Sequence, residues 1–500
     1  MTPTPQGIDL ARADLGGMVI AANDEFFAAK ENLILDDEAV FDNDDYYDRG
    51  KRMDGWETRR RREMGYDWAV IRLAMPGMVQ TFVIDTAHFT GNFPPGASVE
   101  GAYIPGYPSP TEVLADDIEW VALTPRVDLD GDTKNVVTAS AQHLVTHVRL
   151  NIYPDGGVAR LRAFGTPCAP WGSLGPEPDL ASAVRGARVV AVSDEFYGVR
   201  HNVLMPNRSV WMKDGWEVRR RRDAGNDWCL IRLAVPGRIR RAEIDTNHFK
   251  GNCPRAVRIE AALWPGEPPA NPDDVPWTEL LPMFRTQPHT QHLVGDTFPR
   301  DAGPFDLLRV SIYPDGGISR LRMWGDPDTD ALEIINVQWL NRMLPGTLRQ
   351  TLTDCCGSRR WVQSMMDSAP WDSPTAFRNA ADIAWSTISE PDWLEAFSHH
   401  PRIGERRAHA QSDAAAALSA DEQSGTASAS HTTLDDLAAL NESYAKTFGF
   451  TYIVCATGRS AGEMLDLLKR RIANSRSDEL VIAAAEQHKI THIRLTKALS

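Results

Sequence analysis

Two related stretches of the chain, residues 54–94 and 214–254, each contain the motif IDTxHFxGN, which places an aspartate, a histidine and an asparagine beside a turn. Such a set could hold a metal ion or position a water molecule for hydrolysis. Asp-Thr and Gly-Asn are also common turn sequences, so a hydrogen-bonded turn is an alternative of equal weight. The residues are Asp85, His88 and Asn92 in the first copy, and Asp245, His248 and Asn252 in the second.

Each stretch opens with the motif DGWExRRRR. Successive side chains of a strand point to opposite faces, so the four arginines cannot form one basic patch. In the second copy Trp216 and Val218 are predicted to point to the core. A carboxylate and two guanidinium groups then share the other face, which suits recognition of a small carboxylate or ureido group. A salt-bridged strand surface is the alternative. The face comprises Glu57, Arg59 and Arg61 in the first copy, and Glu217, Arg219 and Arg221 in the second.

A different kind of chemistry is indicated by the run HHPRIG at residues 399–404. A residue before proline is held in an extended or turn conformation, which can fix the imidazole of His400 at a helix end. A surface histidine at a helix end is the alternative. Further along, Ser419 and Glu422 have the spacing of a helix capping box, which is the structural explanation for that pair.

The elements that must position these residues differ between the two parts of the chain. Residues 15–170 and 183–328 contain short apolar runs separated by the turn signals PG, PDGG and GNFPP, a pattern typical of antiparallel sandwiches or jelly rolls. Residues 332–498 show apolar side chains at helical spacing, including Met464 and Leu468. We therefore expect two β-sandwich repeats followed by an all-α helical bundle.

Composition narrows the class of protein. With 500 residues, 42% hydrophobic and 24% charged, the chain is typical of a multidomain globular protein. It has no apolar run near the ~20 residues that span a bilayer and no signal peptide at its start, which favours a cytoplasmic location. A net charge of −15 argues against nucleic-acid binding. The six cysteines form no CxxC pair, which argues against a disulfide framework and a zinc site.

The duplicated motifs DGWExRRRR, DWxxIRLAxPG, IDTxHFxGN and IYPDGGxxRLRxxG resemble the allantoicase family. The resemblance implies two jelly-roll repeats of the galactose-binding type that hydrolyse allantoate to ureidoglycolate and urea. Asp85, His88, Asp245 and His248 are then the catalytic candidates, and the Glu, Arg and Asn residues named above are the substrate-binding candidates. The resemblance leaves open whether the hydrolase uses a divalent metal. Leu307 stands where the first copy has His147, so one copy could be the working site, or a single site could form between the copies.

The C-terminal third resembles the 2-oxo-4-hydroxy-4-carboxy-5-ureidoimidazoline (OHCU) decarboxylase family. The resemblance covers the HPRIG centre, the LSxxEQ segment and the run LNxxYxxxFGFxYIVCA. It implies an all-α domain that needs no cofactor and converts OHCU to (S)-allantoin and CO2. His400 is then the catalytic acid or base, with Glu422 as a second catalytic residue. The implied substrate-binding residues are Pro401, Ser419, Gln423, Tyr452, Val454, Cys455, Ala456, Thr457, Gly458 and Arg494.

Both resemblances belong to the breakdown of urate, so the sequence predicts a bifunctional enzyme whose partners are small ureide substrates, with no nucleic acid and no membrane. No HxH metal signature of the intervening allantoinase occurs, so the predicted steps are not adjacent. The alternative is an OHCU decarboxylase that carries non-catalytic ureide-binding jelly-roll modules. Oligomeric state stays open, with a homo-oligomer as one alternative.

Overall fold

A computed structural model describes residues 7–400 and 431–499, apart from 43, 49, 52, 169–176 and 297. The chain divides into two compact units, Met1–Leu332 and Glu333–Ser500. The first unit contains two sheet-rich antiparallel domains and the second is helical, which confirms the predicted fold class. Among the described residues, no helix has both the length and the apolar character needed to cross a membrane.

The first repeat is built on one long strand that changes neighbours midway. The strands are β1 (Ile8–Asp9), β2 (Met18–Ala22), β3 (Tyr46–Tyr47), β4 (Gly50–Lys51), β5 (Trp56–Glu57), β6 (Asp67–Asp85), β7 (Gly96–Ala102), β8 (Val121–Ala122), β9 (Val127–Asp128), β10 (Lys134–Thr138), β11 (Leu144–Tyr153), β12 (Gly157–Val158) and β13 (Arg160–Pro167). The first half of β6 pairs with β2 and β11, and its second half pairs with β10 and β13. Because β1 pairs with β13, the sheet already includes residues before the expected start at residue 15.

The second repeat follows the same plan. Its strands are β14 (Arg188–Val192), β15 (Trp216–Glu217), β16 (Asp227–Asp245), β17 (Ala256–Ala262), β18 (Thr278–Arg285), β19 (Gln291–Val294), β20 (Phe305–Tyr313), β21 (Gly317–Ile318) and β22 (Arg320–Pro327). The long strand β16 pairs with β14 and β20 in its first half, and with β19 and β22 in its second. The duplicated sequence therefore produces a duplicated strand arrangement.

The change of neighbours occurs at a Pro-Gly pair in both long strands. A Cβ atom on Gly77 would lie 2.6 Å from the Leu10 side chain and 2.8 Å from the Thr166 carbonyl oxygen. On Gly237 it would lie 2.6 Å from the carbonyl oxygen of Asp326. The proline before each glycine has no N–H to donate to a neighbouring strand, so the pairing can break there without the loss of a hydrogen bond. The glycine has no side chain, so the neighbouring strand can approach closely.

The first unit also contains the short helix α1 (Pro110–Val113). The remaining helices are α2 (Thr329–Leu340), α3 (Pro345–Cys355), α4 (Arg359–Ser368), α5 (Pro374–Thr387), α6 (Glu390–Ser398), α7 (His431–Phe448), α8 (Ala461–Arg471) and α9 (Arg476–Ala498). Serine side chains accept a hydrogen bond from the first turn of α4, α5, α8 and α9, which satisfies backbone donors that have no partner inside the helix. Met464 and Leu468 lie in α8 and are fully buried, as their spacing predicts.

A buried charged cluster joins α7, α8 and α9. Arg471 Nη2 lies 2.6 Å from Glu479 Oε1, and the exposed fractions of the two side chains are 9% and 0%. The same carboxylate accepts hydrogen bonds from the Tyr444 hydroxyl and from Asn474 Nδ2. Arg471 also donates to the backbone carbonyl of Ile453, so the cluster holds the segment after α7 against the helices.

We expect Glu479→Gln to destabilise the helical unit by about 3–5 kcal/mol, because it leaves the Arg471 guanidinium buried without its counter-charge. Denaturant unfolding followed by far-UV circular dichroism measures the loss. Glu442→Gln is the matched control: Glu442 pairs with Lys446 on an exposed helix face, where such a pair contributes about 0.5 kcal/mol or less. Equal losses in the two variants would contradict the assignment.

Candidate active sites

In each repeat, two of the predicted residues come together. Asn92 Nδ2 donates to Glu57 Oε1 at 2.7 Å, and Asn252 Nδ2 donates to Glu217 Oε1 at 2.5 Å. Burial raises the pKa of Glu57, and the hydrogen bond from Asn92 partly offsets this. A carboxyl group with a raised pKa, next to an amide, is suited to acid–base chemistry on a ureido group.

The contact between Glu57 and Asn92 depends on the IYPDGG turn. Glu57 lies in β5, which pairs with β12, and the Gly157 N–H donates to the Asn92 carbonyl at 2.8 Å. Gly156 has φ of 143°, and a Cβ there would lie 2.8 Å from the Asn92 carbonyl oxygen. Glycine therefore allows the asparagine turn to sit directly on the β5–β12 ribbon.

Two of the four arginines of each DGWExRRRR motif pair with aspartates. Arg59 Nε lies 2.8 Å from Asp24 Oδ2, and Arg61 Nη1 lies 2.6 Å from Asp67 Oδ1. In the second repeat Arg219 and Arg221 form the equivalent contacts with Asp194 and Asp227, each at 2.8 Å. The strands end at Glu57 and Glu217, so the arginines lie in the segments that follow. These contacts correspond to the salt-bridged alternative, although the Arg59 and Arg219 side chains remain 63% and 64% exposed.

Asp67 recurs as Asp227 in the second repeat, but neither residue was among the predicted site residues. Asp67 is buried, its Oδ1 accepts from Arg61 and Asn23, and its Oδ2 has no hydrogen-bond partner among the described residues. Asp227 of the second repeat is also buried, and its Oδ2 likewise has no hydrogen-bond partner among the described residues. Asp67 borders a polar depression of about 430 Å³, which residues 59–63 also line. The signal available in the sequence was the recurrence of aspartate before tryptophan in both DWxxIRLAxPG motifs.

Asp85 and His88 form a turn at the end of β6. Asp85 Oδ1 accepts from the Ala87 N–H at 2.9 Å, and burial raises the pKa of this carboxyl group. His88 has φ of 67°, and its Nε2 lies 3.0 Å from the Ala39 carbonyl oxygen. The imidazole therefore holds the loop that contains Ala39, a contact that favours the turn alternative.

The second repeat repeats this arrangement with different partners. Asp245 Oδ2 lies 3.1 Å from Arg208 Nη1, and His248 has φ of 69°. Its Nε2 lies 3.0 Å from the Ser209 carbonyl oxygen, and its backbone N–H donates to His289 Nδ1. Both histidines thus use the same ring nitrogen to hold a neighbouring loop.

A cavity of about 360 Å³ lies between the two repeats, and the sequence analysis left such a shared site open. Asp9, Arg12 and Arg162 line it from the first repeat, and His201 lines it from the second. Asp9 Oδ2 and Arg162 Nη1 have no hydrogen-bond partner among the described residues. Burial lowers the pKa of His201, so the imidazole is neutral at neutral pH. The cavity therefore combines guanidinium groups, the carboxyl groups of Asp9 and Asp36 and a neutral imidazole.

In the helical unit, His400 follows α6, and its backbone N–H donates to the Phe397 carbonyl at 3.1 Å. Two residues of α9 face it, Gln487 and Arg494, and both are buried. Burial and the positive charge of Arg494 lower the pKa of His400 well below its usual range, while the Gln487 side chain opposes the shift. His400 is therefore half-buried beside the positive charge of Arg494, and Gln487 is a site residue that was not predicted from the sequence.

The segment 451–458 packs against the same helix. The Cys455 N–H donates to Glu486 Oε2 at 2.8 Å, which ties the segment to α9. Burial raises the pKa of Tyr452 to about 12, and its hydroxyl has no hydrogen-bond partner among the described residues. Val454 and Ala456 are buried, whereas Thr457 and Gly458 are exposed. The other predicted residues of this site lie outside the described residues: Pro401, Ser419, Glu422 and Gln423.

We expect Arg494→Gln to raise the pKa of His400, because it removes the nearby positive charge that disfavours the imidazolium. For the decarboxylation that the resemblance implies, the acidic limb of the kcat profile should then move to higher pH, since activity is lost as pH falls through the pKa of this histidine. Titration of His400 by NMR in ligand-free protein measures the same shift without substrate. Arg349→Gln, which removes an exposed arginine paired with Gln363, serves as the control. An unchanged pKa in the Arg494 variant would contradict the electrostatic explanation.

Comparisons with known proteins bear on both units. A family model described as allantoicase repeat matches residues 8–168 and 178–328, and one described as OHCU decarboxylase matches residues 341–496. The probable allantoicase of Ralstonia nicotianae is 46% identical over 321 residues, which cover 63% of this chain and 94% of that protein. Probable allantoicase 1 of Burkholderia mallei is 44% identical over 329 residues, covering 65% and 96%.

The crystal structure of allantoicase from Saccharomyces cerevisiae is also similar. It is 32% identical, with a TM-score of 0.54, and the match covers 64% of this chain and 92% of that one. The matched repeats and the helical domain follow each other along the chain in the order that the sequence motifs predict.

Proposed function

Because the chain belongs to the allantoicase family and carries an OHCU decarboxylase domain, we propose that it catalyses two reactions at two separate sites. It is a bifunctional enzyme of urate degradation, with a hydrolase and a decarboxylase activity. In the repeats, allantoate is hydrolysed to (S)-ureidoglycolate and urea. In the helical domain, OHCU is decarboxylated to (S)-allantoin. The observation that carries the proposal is that each matched region contains a half-buried ionisable group suited to its reaction, Glu57 in the repeats and His400 in the helical domain.

For the decarboxylase, Arg494 supplies the positive charge that receives the substrate carboxylate, and His400 moves the proton. When CO2 leaves, its bonding electrons form a carbon–carbon double bond, the electrons of the adjacent ring C=N shift onto nitrogen, and that nitrogen takes up one proton from solvent. The resulting enol must lose its hydroxyl proton and gain a proton on the neighbouring ring carbon. Because the pKa of His400 is lowered, its imidazole is neutral at the start and acts first as a base. It takes the hydroxyl proton and then delivers it to one face of the ring carbon.

For the hydrolase, we place the reaction at the Glu57–Asn92 pair and its counterpart Glu217–Asn252. The amide group is positioned to hold a ureido group, and the carboxyl group to exchange a proton with water or with the leaving urea. The same hydrogen bond, from an asparagine to a glutamate of the predicted set, forms in both repeats. The cavity between the repeats is the competing location for this reaction.

Several features of the protein stay predictions. We propose that the decarboxylase needs no cofactor, since its own substrate accepts the electrons, and the EDTA assay below tests the hydrolase for a divalent metal. The partners are small ureides rather than nucleic acid. A cytoplasmic location and a homo-oligomeric assembly are predictions from the sequence.

Because both activities reside in one chain, each can serve as the folding control for the other. We expect His400→Asn to lower kcat for OHCU decarboxylation by about 10²–10⁴-fold, the range for loss of a positioned proton-transfer group, and to leave urea release unchanged. Decarboxylation is followed by OHCU disappearance and urea by a coupled assay. Retained decarboxylation would remove His400 from the mechanism.

We expect Glu57→Gln or Glu217→Gln to lower urea release from allantoate by about 10²-fold or more, and decarboxylation to persist in both variants. The two single variants show which repeat works, and Glu279→Gln, at a surface glutamate paired with Arg258, is the matched control. If both glutamate variants keep activity and His201→Gln loses it, hydrolysis belongs to the cavity between the repeats.

The same assay run with and without EDTA decides the question of metal. Urea in both arms indicates hydrolysis without a chelatable metal, and urea only without EDTA indicates a metal-dependent site. Absence of urea in both arms, from protein that still decarboxylates OHCU, would leave the repeats as ureide-binding modules.

A further inference from the structure

Three potential metal ligands converge at partly exposed positions of the helical unit. Asp382 lies in α5, and His488 and His492 lie in α9. The two imidazole Nε2 atoms lie 2.9 Å and 2.7 Å from Asp382 Oδ1, and 3.2 Å from each other. Among the residues that the structure describes, these three form a group whose ligand atoms lie within 4.8 Å of one another, close enough to share one ion.

The backbone explains why these atoms meet. Residues four apart on a helix lie on the same face, so His488 and His492 present their rings side by side. Asp382 comes from the neighbouring helix, and Trp385, one turn further along α5, stacks on the His488 ring with centroids 5.4 Å apart and planes 11° from parallel. The stacking fixes the orientation of one ligand, as supporting residues do around metal sites.

The distances suit a small divalent cation. Ligands at about 2.0–2.1 Å from a tetrahedral zinc ion are separated by roughly 3.3 Å, close to the separations found here. The His and Asp side chains are 33% and 49% exposed, so an ion can enter and keep water in a remaining position.

We propose that Asp382, His488 and His492 form a binding site for one divalent transition-metal ion of the zinc class, which links α5 to α9. Two imidazole nitrogens and one carboxylate oxygen form a donor set that zinc, cobalt and nickel accept. The simpler alternative is a hydrogen-bonded group in which both imidazoles donate to one carboxylate. An ion at this site would also stabilise the helix that contains Gln487 and Arg494 of the decarboxylase site. The metal-site proposal itself does not depend on the proposed reaction.

The test is zinc binding by the full-length protein, measured by competition with a chromogenic chelator of micromolar affinity. The double variant His488→Ala/His492→Ala should bind one equivalent fewer than the unchanged protein, and Asp382→Asn should bind at least tenfold more weakly. His143→Ala, which removes a histidine of the first repeat, should bind as the unchanged protein does. Because the comparison is a difference in stoichiometry, any metal held by the repeats does not affect it.

Thermal unfolding of the helical unit supplies an independent readout. Zinc should raise its Tm in the unchanged protein and not in the double variant, because an ion bound only by the folded state stabilises that state. The milder variant His492→Gln keeps the test valid if the double variant folds poorly, and metal-free decarboxylase activity reports folding in each case. Equal stoichiometry in all variants, or no zinc bound by the unchanged protein, would overturn the proposal.

Discussion

The structure of the repeats depends on a strand that serves two sets of neighbours. In β6 and β16 the pairing changes at a Pro-Gly pair, where backbone from another strand lies too close for any larger side chain. The second half of each strand then delivers the turn that contains Asn92 or Asn252 onto a short ribbon that carries a glutamate. Without the change of neighbours, the turn and the ribbon would not be brought to the same place.

In the helical unit the corresponding constraint is the burial of charge on α9. The helix brings Glu479, Gln487 and Arg494 into the interior, and the two charged side chains require partners there because an unpaired buried charge is costly. Glu479 is satisfied by Arg471 and Tyr444, and Arg494 donates to the Asp354 carbonyl. His400 is forced to remain neutral by the same surroundings, so the packing that stabilises the unit also sets its chemistry.

The carboxylate and guanidinium groups of the repeats show where reasoning from periodicity ends. The expected face of Glu57, Arg59 and Arg61 assumed a strand through the whole motif, but the strand ends at Glu57. Beyond that point the alternation of faces no longer applies, and the arginines pair with aspartates from other segments. The burial of Trp216 and Val218, which depends only on the first residues of the motif, agrees with the prediction.

The sequence by itself determined the duplication, the division into β and helical parts, and the two families, because strand and helix periods and family motifs are local properties of the chain. Only the tertiary structure decided the partners of the ionisable groups: Asn92 for Glu57, Gln487 and Arg494 beside His400, and Asp382 against His488 and His492. These contacts join residues that are distant along the chain. Backbone geometry relates residues a few positions apart, whereas the approach of distant side chains is set by how whole strands and helices pack.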